Sequence, residues 1–136
     1  MDGKVSQMTL VVNDQAKALA FYTEQAGFEV KTDYTPPGGS RWVTVGLKGQ
    51  DLELALFQVG SRTDPGDPGH LWKPGTAPSI VIRVEDCRKA YDELSARGVK
   101  FREAKPVEHP WGVVATFVDP DGNAFSLAQL RPTTWK

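Results

Sequence analysis

Cysteine is nearly absent from this chain: of 136 residues only Cys87 carries a thiol. That excludes an intrachain disulfide, and it excludes a zinc site built from several thiolates. Histidine is almost as scarce, with His70 in a Pro/Gly-rich stretch and His109 in the turn Glu108-His109-Pro110-Trp111. An excess of one charge is missing too, since 16 Lys and Arg face 17 Asp and Glu for a net charge of -1. Without a basic footprint a nucleic-acid partner is not expected. No apolar run approaches the roughly 20 residues of a membrane span, and Met1-Asp2-Gly3-Lys4 offers no apolar signal core. These absences predict a cytoplasmic protein that binds neither nucleic acid nor membrane. What remains is ordinary: 40% hydrophobic and 24% charged residues, in a length suited to a single domain over 1–136.

The organisation comes from an internal repeat. Ser6 to Val30 lies beside Pro78 to Phe101, with Asp14 on Asp86 at an offset of 72 residues. Gln7 then falls on Ser79, Val12 on Val84, Lys17 on Lys89 and Ala18 on Ala90. Gly27 falls on Gly98 only after a one-residue deletion. Met8, Leu10 and Val12 alternate with Gln7, Thr9 and Val11, as in a half-buried strand, and Ile80, Ile82 and Val84 repeat that phase. Asp14 and Asp86 are short acceptors placed to cap helices. Ala18, Phe21, Tyr22 and Gln25, and then Cys87, Ala90, Tyr91 and Leu94, follow at helical spacing. Gly27 and Gly98 suit the left-handed position after a helix.

Three strands are expected after each helix. They fall near Glu29 to Tyr34, Trp42 to Leu47 and Leu52 to Gln58, then near Lys100 to Lys105, Val113 to Val118 and Ala124 to Leu130. The run Asp119-Pro120-Asp121-Gly122-Asn123 is a turn, with Pro fixing one φ and Gly supplying a positive one. The fold class is therefore α+β: two tandem βαβββ modules, about 4–60 and 78–131, joined by a Pro/Gly-rich linker or lid over about 61–77.

This pattern resembles the vicinal oxygen chelate superfamily of glyoxalase I, extradiol dioxygenases and bleomycin-resistance binding proteins. The local tokens are Phe21-Tyr22 in the first helix, Pro110-Trp111-Gly112, and the Asp119 to Asn123 turn. The resemblance implies sheets that curl into a cup, helices on the convex side, and a homodimer. In metal-dependent relatives each module donates one ligand from its first strand and one from its last. Those positions hold Gln7 and Glu53 in one module, and Ser79 and Ser126 in the other. Two neutral hydroxyls and no imidazole are a poor set for zinc, nickel or iron. The expected cofactor is none, or at most a weakly held divalent metal.

Strand phase turns Gln7, Thr9, Ser79 and Arg83 away from the helix-covered faces and toward the cup. Two readings of Glu53 stand. It is either a solvated residue in the alternation Asp51, Glu53, Ala55, or a cup residue near Arg83 that orients a ligand or acts as a general base. Trp42, Phe57, Trp72 and Trp111 either fill core and anchor the linker or form a stacking wall for a planar ligand. Phe21 and Tyr22 read as helix–sheet packing, and Cys87 as a packed thiol. The ligand set is thus Gln7, Thr9, Trp42, Phe57, Ser79, Arg83 and Ser126, with Glu53 as the candidate base. The function it implies is binding of a small organic molecule in the cup without a tightly held metal. The alternative is a glyoxalase-type lyase or isomerase, either metal-dependent or using Glu53 as base.

Overall fold

A single aspartate before each helix sets the frame of both halves. In the computed structural model, which describes residues 1–59, 73–75 and 80–131, Asp14 and Asp86 adopt extended backbone and their carboxylates accept the amides of Lys17 and Lys89 at 3.1 and 3.0 Å. Each bond satisfies a donor that a helix start leaves open, a contribution of about 1 kcal/mol. A second cap is also repeated. The side-chain carbonyl of Gln58 accepts the Gln15 amide, and that of Gln129 accepts the Cys87 amide, both at 2.9 Å. Each helix is thereby pinned to the last strand of its own sheet.

The chain divides into two compact units, Met1–Ala77 and Pro78–Lys136. In the first, strand β1 (Gln7–Val12) leads to helix α1 (Gln15–Ala20) and strands β2 (Glu29–Tyr34), β3 (Trp42–Gly46) and β4 (Glu53–Gln58). The sheet order is β1-β4-β3-β2, with β1 parallel to β4 and the other pairs antiparallel. In the second, β5 (Ile80–Arg83), α2 (Cys87–Ala96), β6 (Lys100–Phe101), β7 (Val107–His109), β8 (Gly112–Val118) and β9 (Ala124–Leu130) make a sheet of order β5-β9-β8-β6, with β7 also on β8. Again the first strand is parallel to the last. The two βαβββ patterns are present, and the fold class is α+β.

Burial follows the period-2 phase. Leu10, Val12, Val43, Val45, Leu54 and Leu56 fill the helix side of the first sheet. Tyr22 is fully buried, edge-on to Phe21 and Phe28 at 5.2 and 5.4 Å between ring centres. In the second unit Phe117 stacks on Phe125 at 5.1 Å, and Cys87 and Leu127 are buried with them. Ile80, Ile82 and Val84 are only half-buried, less than their apolar alternation led one to expect. In the Asp119 turn one carboxylate oxygen accepts the amides of Asp121 and Asn123, and Gly122 takes φ 93°.

Three details depart from the sequence reading. First, the helix begun by α1 continues as a π-helical turn over Phe21–Gln25. There Ala26 donates to Phe21, and Phe28 donates to Tyr22 across six residues, whereas Val99 donates to Leu94 across five at the end of α2. The extra residue that the repeat alignment shows before Gly27 is the residue this wide turn absorbs. Second, the strand expected over Lys100 to Lys105 stops at Phe101. The Glu103 carboxylate takes the Thr116 amide at 2.8 Å, so the ladder partner is used by a side chain, and Pro106 has no N–H to resume it. The chain pairs again only at β7, a strand the sequence did not announce. Third, β8 starts at Gly112, where a side chain would run into the Gln129 carbonyl. The linker expected over 61–77 lies outside the described residues except for 73–75, as do Ser79, Trp72 and His70.

Candidate functional site

Register decides which side chains share a surface. On the parallel β1–β4 pair, Gln7 lies beside Glu53, Thr9 beside Ala55 and Val11 beside Phe57. Thr44 pairs with Ala55, Thr32 with Thr44, and Tyr34 with Trp42. Because neighbours across a ladder point to the same side, Gln7, Thr9, Trp42, Glu53 and Phe57 occupy one face of the first sheet, opposite the face that carries Leu54 and Leu56. Glu53 is half-buried rather than solvated. Its Oε1 accepts the Thr44 hydroxyl in a short hydrogen bond and the Thr32 hydroxyl at 3.2 Å. Thr44 is fully buried, so its hydroxyl depends on this carboxylate for a partner.

The β3–β4 ladder ends at Thr44 and Ala55, although both strands continue. Into the opening reaches the Gln15 side-chain amide, which donates to the Arg41 and Leu56 carbonyls at 2.9 Å each. The splayed ends make a cavity of about 530 Å³ lined by Trp42 and Phe57 together with Gln15, Ser40, Arg41, Leu56 and Gln58. Arg41 is forked onto Asp33, with Nε to Oδ1 at 2.9 Å and Nη2 to Oδ2 at 2.7 Å. The Arg41 hydrogen bond holds the Asp33 carboxyl below the usual carboxylate range.

On the second sheet the equivalent face holds Ser126, with Val81 and Thr116 as its ladder neighbours. The Ser126 and Thr116 hydroxyls are 3.0 Å apart. Arg83 pairs with Ala128, two residues along the same face, and is exposed. By register the neighbour of Ser126 is Val81, whereas Ser79, placed there by the sequence offset, lies two residues earlier and outside the described residues. Trp111 stacks on His109 at 4.8 Å with the rings nearly parallel. Cys87 is fully buried with its Sγ 3.6 Å from the Leu127 carbonyl, and burial pushes its thiol up, away from thiolate chemistry.

These donors do not suit a divalent transition metal. The first sheet offers one carboxylate, already accepting two hydroxyls on Oε1, and one neutral amide. The second offers a hydroxyl beside a valine. No group of three or more His, Cys, Asp or Glu among the described residues is arranged to hold a metal.

Sequence reading missed Thr32, Thr44, Gln15 and Arg41. Thr44 was within reach, because it breaks the apolar run Val43 to Val45 as a polar residue in phase with Trp42. Gln15 was not, because its partners lie 26 and 41 residues away.

A chain of this architecture belongs to a known class. It is a member of the Glyoxalase/Bleomycin resistance protein/Dioxygenase superfamily, whose family profile matches residues 4–127. Among solved structures it is similar to TnmS3, an antibiotic binding protein from a Streptomyces species, with 33% identity, 96% of this chain and 98% of that chain covered, and a TM-score of 0.77. It is also similar to a superfamily member from Sphaerobacter thermophilus, with 35% identity, coverage of 93% and 97%, and a TM-score of 0.78. Among curated proteins, a probable lactoylglutathione lyase from Synechocystis is 32% identical over 123 residues, 87% of this chain and 88% of that protein. No helix among the described residues is long and apolar enough to cross a membrane.

Proposed function

We propose that this protein binds a small, partly planar organic molecule on the sheet face that carries Trp42, Phe57, Thr9, Gln7 and Glu53, and that it does so without a resident metal. The observation that carries the reading is the cleft where β3 and β4 part. Two aromatic side chains line a cavity of about 530 Å³ there, a volume within the range of small-molecule sites. Aromatic walls add about 0.5–1.5 kcal/mol to a ring pair beyond the area it buries. The antibiotic-binding relative supports the binding role, and the donor chemistry around Glu53 supports the absence of a metal. The protein works as a homodimer in the cytoplasm.

A second reading, a glyoxalase-type lyase, draws on the Synechocystis relative. One experiment separates them. A panel of planar aromatic antibiotics is titrated by calorimetry into chelator-treated protein and its Trp42→Ala variant. Binding in chelator that weakens at least about tenfold in Trp42→Ala is expected. Lactoylglutathione formation from methylglyoxal and glutathione, restored by added divalent metal, would establish the lyase instead.

A further inference from the structure

The binding face of the first sheet has two chemically different ends. Glu53 begins β4 and Phe57 lies four residues along it on the same side. At roughly 3.3 Å per strand residue, about 13 Å separate the carboxylate from the aromatic end. Trp42 enters beside Phe57, since both line the cleft where the ladder has opened. The aromatic end is apolar and planar. The other end is anionic and fixed.

Three facts define that anionic end. Thr44 and Thr32 both donate to Oε1 of Glu53, which locks the carboxylate and leaves Oε2 with no hydrogen bond among the described residues. Two cations of the neighbouring strand and loop are engaged elsewhere, Lys31 with Glu29 at 3.1 Å and Arg41 with Asp33 at 2.7 Å. Glu53 itself makes no ion pair among the described residues. Beside it, one strand spacing away, stands Gln7, whose amide carbonyl is a second acceptor. A half-buried carboxylate with one oxygen pre-satisfied, and an acceptor as its neighbour, is built to receive N–H donors that carry positive charge.

We propose that Glu53, held by Thr32 and Thr44 and flanked by Gln7, receives a protonated amine of the bound molecule while Trp42 and Phe57 receive its planar part. The ligand class is an aromatic compound with a cationic nitrogen at the far end of an extended linker. This assignment rests on the small-molecule reading above and deepens it.

The test uses three probes of one shape: naphthylhexylamine, naphthylhexanol and naphthylhexanoate, each titrated by calorimetry into the full-length protein and its Glu53→Gln variant. The amine should bind about tenfold or more tightly than the alcohol, as a charge-assisted hydrogen bond provides, and the hexanoate should bind most weakly. Glu53→Gln should erase the advantage of the amine over the alcohol. Equal binding of amine and alcohol to the native protein overturns the cationic-head assignment and leaves the small-molecule reading standing. Failure of all three to bind at millimolar concentration overturns both. Because the comparison among probes is made first on the native protein, a Glu53→Gln chain that did not fold would still leave the assignment decided.

Discussion

Replacing Thr44 by Val tests whether Glu53 is held as described. The two side chains have nearly the same shape and are both β-branched, so strand preference and packing change little. What changes is the hydroxyl. Thr44 is fully buried and its hydroxyl donates to Glu53 Oε1. A hydrogen bond to a charged group contributes about 1.5–3 kcal/mol. Glu53 keeps Thr32 and some access to water, which reduces the loss to about 1–2 kcal/mol. At this chain length that shifts the melting temperature by about 3–7 °C. The assay is urea unfolding of the native protein, Thr44→Val, Glu53→Ala and the double variant. If the hydroxyl and the carboxylate stabilise each other, the cycle returns a coupling energy of about 1 kcal/mol. A Thr44→Val variant as stable as the native protein, with coupling indistinguishable from zero, would refute the claim that the threonines fix the carboxylate.

Other outcomes follow from the same geometry. Gln58→Leu and Gln129→Leu each remove the acceptor of a helix-start amide, and each should cost about 1 kcal/mol in urea unfolding; a neutral effect at both would show that water replaces the amides. Cys87 should resist a thiol reagent such as dithionitrobenzoate in the native protein and react fully in denaturant, because it is buried and its thiol is pushed up by desolvation. Asp33 should titrate by carboxyl NMR below the ordinary value of 3.8 and return toward it in Arg41→Met. Its folded value is depressed, so its contribution is present above 3.8 and lost as pH falls through the lower folded value; a native Asp33 titrating at 3.8 or above would contradict the fork. Light scattering should give about twice the 14.9 kDa chain mass, and a monomer mass at micromolar concentration would exclude the dimer.

The sequence by itself determined the repeat. Period-2 alternation, two aspartate caps and two glycine stops located seven of the eight expected strands and both helices nearly to the residue, because each of those signals acts within one turn or one strand of itself. The same local logic put Gln7, Thr9 and Glu53 in one phase, and a parallel ladder between first and last strands turned that phase into a shared face. The one-residue excess before Gly27 was visible as a gap in alignment. Only the structure resolved it as a π-helical turn, since a helix can absorb an extra residue by loop, bulge or wider turn, and the packing of Phe21, Tyr22 and Phe28 decides which.

Everything that depends on a partner far along the chain was decided by tertiary structure. Glu103 stops β6 by taking an amide 13 residues away. Gln15 reaches across 26 and 41 residues to hold open the cleft beside Trp42. Val81, rather than the residue the offset indicated, stands beside Ser126, because ladder register is set by how whole strands pack and not by counting from a repeat. The role of Glu53 was equally beyond local reading. Whether a carboxylate on a strand is solvated or clasped depends on which hydroxyls neighbouring strands bring to it, and Thr32 and Thr44 arrive 21 and 9 residues away in sequence, on strands whose register no local pattern specifies.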